Sequence, residues 1–405
     1  MKTASHILLT VMAIIGLSWF LPWLYDFMFP VNDRQPFVAY SPVAEKMIFT
    51  LRDGVAGDMT ITDLEGNIYD KDQRDSLLPH QFFPQLMSKG SLPDSIAGRE
   101  VSMPALRRSQ VVFVSDPSDI NRAHPGIYPI LESLPPRLEF KNPSEVFRMN
   151  GSMEFIDIAT NSINSSRSQR FTEALDKAGF RYPMTDCNAN ITTRKSYDEG
   201  YLMIDADGDV YHVKQQAGRP YVAKVPRPTP EFRASKVFIM ENFDRSRLGL
   251  VIGDNGDVYL LNHEDYTLHH LPIGTIDPTR ERITLMGNMF NWAFRISGDS
   301  GTRWRFIDTD SLDLLDSYDF KVSETTSEKV GKYIFPYRLV FTSATDRYVT
   351  PRIIDISKRA LLFNAVLAAL LSAMVIRRRS NKLPRIITVL VFGIFAFIPM
   401  AIIKD

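Results

Sequence analysis

The chain is 405 residues long, carries 47 Lys plus Arg against 47 Asp plus Glu, and is 44% hydrophobic. A formal net charge of zero lacks the basic excess that displaces counterions from a phosphate backbone, which argues against nucleic acid as a partner. Its single cysteine, Cys187, excludes an intrachain disulfide, so any large exported domain depends on core burial.

Residues 7–29 form an apolar run of 23 residues, interrupted only by Pro22 and Asp26. Trp19, Trp23, Tyr25, Phe27 and Phe29 crowd its far end, where aromatic rings favour a membrane–water interface. A cleaved signal peptide is the rival reading, with Lys2 as its charged region. The run exceeds a typical signal core and no small-x-small cleavage site follows, so residues 1–29 read as an uncleaved transmembrane anchor. Asp26 would sit at the interface, where ionisation costs little.

Residues 30–358 hold 39 bases against 45 acids, a mildly acidic balance that suits a soluble domain. Short alternating apolar runs, punctuated by Pro and Gly, predict a mainly β domain. One helix is expected at residues 167–178, where Phe171, Ala174, Leu175 and Ala178 share a face. A serine can cap its start and Gly179 its end.

Four segments repeat an alternating strand, an acidic or Asn/Gly turn, and a second strand. They read MTITDLEGNIY at 59–69, LMIDADGDVY at 202–211, LVIGDNGDVY at 250–259 and FRISGDSGTRW at 294–304. Gly208, Gly256 and Gly301 are spaced by 48 and 45 residues, and Gly66 precedes Gly208 by 142, about three periods. That gap has room for two degenerate units, with candidate strands at 110–115 and 153–158. Asp-Gly and Asn-Gly supply the positive φ of a two-residue primed hairpin turn, and a hairpin cannot bury its face alone. Recurrence at about 45–48 residues predicts radially packed blades, a β-propeller-like domain; a β-sandwich is the structural alternative. Residues 37–51 and 332–356 are the candidates for closing it.

Candidate chemistry is sparse. Asp205, Asp207 and Asp209 resemble a calcium loop, but an EF-hand needs Gly sixth and Glu twelfth, and this stretch has Gly fourth and Gln216 twelfth. They stay weak metal candidates beside a plain hairpin tip. His263, His269 and His270 lack zinc spacing and read as a surface cluster. Gly298 to Gly301 superficially resembles a protease nucleophile loop but falls at the repeat's turn. Trp292, Arg303, Trp304 and Arg305 form an aromatic–basic cluster that reads either as core packing or as a ligand or partner patch. No catalytic constellation, cofactor motif or phosphate loop is found.

At the C-terminus, residues 360–376 and 386–403 are apolar runs of 17 and 18 residues, the second free of charge. Between them lie Arg377, Arg378, Arg379, Lys382 and Arg385 without an acid. Basic residues of short loops stay cytoplasmic, so this loop orients the chain. The expected organisation is an anchor at 1–29, an extracytoplasmic domain at 30–358 and a helical hairpin at 359–405, with the N-terminus cytoplasmic.

The aromatic-belted anchor, the IDADGDVYHVK and IGDNGDVYLL hairpins and the hairpin turned on Arg-Arg-Arg together resemble an uncharacterised membrane protein family of Bacteroidota. The resemblance implies occurrence beside ABC-transporter subunits and carries no functional residue. The expectation is a multi-pass inner-membrane protein whose periplasmic domain is a non-enzymatic accessory or scaffold of a transporter-type complex, with the bilayer and transporter subunits as partners. The alternatives are a ligand- or glycan-binding envelope receptor and a membrane-tethered hydrolase.

Overall fold

The computed structural model describes residues 2–30, 35–52, 59–137, 139–242, 245–375 and 382–403. The chain divides into two compact units, Pro36–Phe320 and a second made of Met1–Gln35 with Lys321–Asp405. The stretch 30–358, expected as one domain, is shared between them.

Five antiparallel sheets of three to five strands, and a two-strand pair of Ser95–Ile96 with Arg99–Glu100, carry the described part of the Pro36–Phe320 unit. Sheet I orders Phe37–Ser41, Lys46–Arg52, Met59–Thr62 and Ile68–Tyr69; sheet II orders Met153–Asp157, Glu145–Met149 and Tyr128–Pro129. Sheet III orders Asp186–Ala189, Tyr201–Ile204, Val210–Gln216 and Arg219–Lys224. Sheet IV orders Ala234–Ile239, Arg247–Gly253, Val258–Asn262 and Leu268–His270. Sheet V orders Leu314–Phe320, Gly301–Asp308, Asn291–Gly298, Arg282–Gly287 and Val111–Ser115.

Sheets II, III, IV, V and I share cores in that succession. Phe147 and Phe155 of sheet II meet Tyr201, Met203 and Tyr211 of sheet III. Leu202, Ile204 and Val210 meet Val237, Leu248 and Val251 of sheet IV. Leu250, Ile252 and Leu260 meet Ile283, Trp292 and Phe294 of sheet V. Trp304 and Phe306 of sheet V then meet Val38, Tyr40 and Met47 of sheet I. Strand periodicity explains how one sheet serves two cores. Trp292, Phe294 and Ile296 point to sheet IV, while the intervening Ala293 points to sheet I. Each buried aromatic contributes about 1.5–3 kcal/mol of transfer free energy. The result is a mainly β, propeller-like succession of blade-sized meanders.

The repeated hairpins are real, but their turn differs from expectation. Gly66, Gly208 and Gly256 all adopt positive φ, and each donates its N–H three residues back, to Asp63, Asp205 and Gly253. That is a type I turn closed by a left-handed glycine, a three-residue loop. The fourth hairpin alone has a two-residue loop, with Gly298 paired to Gly301.

The 142-residue gap houses one degenerate unit, sheet II. The strand expected at 110–115 instead becomes the fifth strand of sheet V, Val111–Ser115 against Arg282–Gly287. Between sheets I and II the chain turns helical: Lys71–Leu77, Pro79–Ser88, Met103–Arg108 and Pro117–Ile120. Local chemistry starts them, with an Asp70–Gln73 capping box and side-chain caps from Ser102 and Asp116. The expected helix runs Ser165–Ala178 with Phe171 and Leu175 buried; Asn164 rather than a serine caps it, and Gly179 ends it at φ 87°.

The second unit contains helices Lys2–Met28, Thr326–Ile334, Ala360–Val375, Lys382–Phe392 and Ile394–Ile402, and the strand pair Arg338–Val340 with Arg352–Ile354. Residues 332–356 therefore do not close the β unit. Among the described residues one helix, Ala4–Met28, is long and apolar enough to cross a membrane, which corrects the expectation of three. Ala360–Val375 is 16 residues long, and the run 386–403 breaks at Gly393, whose φ is 56°. A Cβ at Gly393 would meet Asn364 Oδ1 at 2.2 Å, while Asn364 Nδ2 donates to the Leu390 carbonyl at 3.0 Å. The polar side chain thus fills the space beside Gly393, which leaves no room there for any side chain. Arg377, Arg378 and Arg379 lie outside the described residues, Lys382 opens a helix and Arg385 sits in its first turn. Asp26 pairs with Arg338 at 2.6 Å.

Candidate functional site

An open cavity of about 800 Å³ lies along sheets III and IV, with Lys214 and Tyr221 from one and Arg247, Asn262, His263 and Tyr266 from the other. Strand alternation puts His212 and Lys214 on one face, and register places Lys214 opposite Tyr221, with its ammonium 5.3 Å from that ring. Behind them sits Glu199, 6% exposed.

Glu199 is aimed by the loop that carries it. Lys195 pairs with Asp198 at 2.6 Å and with Glu241 at 2.8 Å, and Glu241 accepts the Glu199 N–H at 2.8 Å. Gly200 follows at φ 63°, where a Cβ would press on the Val213 carbonyl at 2.5 Å. Only glycine lets this loop lie directly on the strand bearing His212 and Lys214.

From that position Glu199 Oε2 reaches Lys214 Nζ at 2.7 Å, His263 Nε2 at 3.3 Å and His212 Nε2 at 3.6 Å. Burial raises the Glu199 carboxyl, but the Lys214 hydrogen bond and charge, with the two histidines, outweigh it and hold it below its ordinary value. His212 is fully buried, and burial, reinforced by the Lys214 charge, pushes it down to about 4, so it is neutral near pH 7. His212 Nδ1 lies 2.7 Å from Tyr266 Oη, which lies 2.9 Å from Tyr221 Oη. Burial and then the neighbouring Tyr221 raise the Tyr266 hydroxyl. Tyr266 sits at φ 57° and Arg245, also on the cavity wall, at φ 53°. Two non-glycine residues in the left-handed region flank one cavity, a strain that concentrates at binding sites. Chemically the wall offers the Lys214 ammonium, the Arg245 and Arg247 guanidiniums and the His263 imidazole for an oxygen-rich ligand, with Glu264 and Asp265 as the acids of the same wall.

The residues singled out from sequence are dispersed. Asp205 is buried and accepts N–H groups from Asp207 and Asp209 at 2.9 Å and from Arg181 at 3.1 Å. Asp209 pairs with Lys224 at 2.6 Å and with Arg227, so the two buried carboxylates are committed to different partners. Among the described residues no three His, Cys, Asp or Glu side chains are grouped to hold a metal. Trp292 and Trp304 are each 2% exposed and lie in different cores, on opposite faces of sheet V. Arg303 binds Glu281 at 2.7 Å and Arg305 binds Asp319 at 2.6 Å, so the four form no common patch. The histidines separate too: His269 approaches Asn262 at 3.0 Å, His270 faces Asp257 at 4.0 Å, and His263 alone reaches the cavity. Cys187 is half-buried, and burial, then Asp186, pushes its thiol up to about 12.

Glu199, His212, Lys214, Tyr221 and Tyr266 escaped sequence reasoning. Their trace is local: His and Lys alternate on one strand face in YHVK, directly after a repeat turn. The contacts that gather them, Glu199 with His212 and Lys214 and Tyr266 with His212 and Tyr221, join residues 13 to 54 apart.

The chain belongs to the family described as Domain of unknown function (DUF4857), which it matches over residues 37–306, about two thirds of its length. That span contains every cavity residue named above. Among solved structures it is similar to the Dos1 propeller at 12% identity, covering 72% of this chain and 63% of that one, with a TM-score of 0.27. The dihydro-heme d1 dehydrogenase NirN in complex with DHE is 10% identical over 67% of this chain and 68% of its own, TM-score 0.23. The WD40 domain of SCAP from fission yeast is 11% identical over 78% and 61%, TM-score 0.25. No protein of curated function matches the chain significantly.

Proposed function

We propose that this chain is a membrane-tethered, non-enzymatic β-sheet module, an accessory or scaffold subunit of a transporter-type complex in the inner membrane of a Bacteroidota cell. Its β unit faces the periplasm, and transporter subunits and lipid are its partners. The observation that carries this reading is the helix Ala4–Met28. Its Ile7, Leu8, Met12 and Trp23 are all more than half exposed, an apolar surface that needs lipid or partner helices to cover it. Charges such as Arg303, Arg305 and Asp209 are spent on pairing within the β unit, which supports a structural rather than catalytic use of them. The test is mild-detergent purification of the tagged full chain with mass spectrometry of what accompanies it. Stoichiometric membrane subunits are expected; a protein recovered alone counts against the reading.

A second reading, a ligand-binding envelope receptor, is favoured by the cavity beside Glu199 and by the strained residues on its wall. The two readings are compatible, since a receptor surface can belong to an accessory subunit.

A further inference from the structure

We infer that the cavity between sheets III and IV takes a hydroxylated carboxylate of the sugar-acid type, its acid group on Lys214 and Arg247 and one hydroxyl donating to Tyr221. The inference rests on the receptor reading and names its ligand class.

Hydrogen-bond polarity carries it. His212 Nε2 lies 2.6 Å from the Glu199 backbone carbonyl, which can only accept, so Nε2 bears the proton. The ring is buried and neutral, hence Nδ1 is an acceptor and Tyr266 must donate to it. Tyr266 has one proton and has spent it, so Tyr221 donates to Tyr266. The Tyr221 oxygen is thereby left as an acceptor on the cavity wall, a partner for a hydroxyl and a poor one for an anion. Beside it the chemistry inverts. Lys214 commits one N–H to Glu199 at 2.7 Å and keeps two donors. Arg247 spends one donor on Asn262 Oδ1 and retains a planar edge that matches a carboxylate. The wall also carries Arg245, Glu264 and Asp265, and the Asp265 carboxylate accepts the Thr267 N–H at 3.0 Å. The Tyr221 acceptor beside Lys214 and Arg247 describes a ligand that is both hydroxylated and anionic. At about 800 Å³ the space suits a mono- or disaccharide.

The test is titration calorimetry on the full chain in detergent with glucuronate, glucose, acetate and inorganic phosphate, on wild type, Tyr221→Phe and Arg247→Gln. Unchanged circular dichroism and melting certify that both variants fold. Glucuronate is expected to bind at least about tenfold more tightly than glucose or acetate. Y221F should lose about tenfold for glucuronate and nothing for acetate, whereas R247Q should lose at least about tenfold for both acids and nothing for glucose. Glucuronate binding no tighter than glucose or acetate, or unaffected by Y221F, overturns the proposal. Phosphate or glucose binding most tightly, with loss in either variant, overturns the sugar-acid class while the receptor reading survives. No heat from any probe overturns the class and removes the cavity's support for a receptor.

Discussion

His212 and His80 are the side chains that most directly tie this protein's stability to pH. Both are buried, and burial lowers both to about 4, with the Lys214 charge adding to the effect on His212. In the unfolded chain each titrates near 6.5, so the unfolded state binds more protons between those values. Their contribution is fully present above pH ~6.5 and is lost as pH falls toward 4, each worth on the order of 3 kcal/mol when complete. His80 is the cleaner test, because its Nδ1 has no partner and its ring packs 6.3 Å from Phe290. Denaturant titrations at pH 7 and 4.5 should show a smaller acid penalty in His80→Phe than in wild type. Equal penalties would disprove the assignment.

Loops and turns decide where such residues end up. The loop ending at Gly200 is pressed against the strand Val210–Gln216, and its φ of 63° is available to glycine at no steric cost. Gly200→Ala combines left-handed strain of about 1–2 kcal/mol with overpacking of about 1–3 kcal/mol. A loss of roughly 2–5 kcal/mol is expected. Because Glu199 precedes it, the variant should also lose any ligand binding at the cavity. A denaturation midpoint indistinguishable from wild type would show that the close approach is not required. The same comparison explains the hairpins: Gly66, Gly208 and Gly256 were legible as turn glycines, but loop length depends on pairing across the hairpin, which a dipeptide does not specify.

The division into two units has its own consequence. The cores shared by sheets II to V and sheet I all lie within Pro36–Phe320. A fragment of those residues buries its own hydrophobic surface and should fold without the apolar helices. Expressed alone, it should be soluble and unfold in one cooperative transition by circular dichroism. An aggregated or non-cooperative fragment would show that the units depend on each other. The interior of the helical unit is less regular, since Asn364 lies inside it against the break at Gly393.

Local rules written along the chain determined the β alternation, the turn glycines, the helix Ser165–Ala178 and the apolar helix at the N-terminus. Each depends on residues within a turn or two of one another, and a periodicity of 2 or 3.6 reports them directly. Tertiary structure alone decided that Val111–Ser115 leaves its neighbours to edge sheet V, that an apolar run breaks beside Asn364, and that Glu199 gathers Lys214, His212 and His263. Those outcomes turn on which surfaces exclude water together and which buried charge finds a partner, quantities that exist only once distant segments pack.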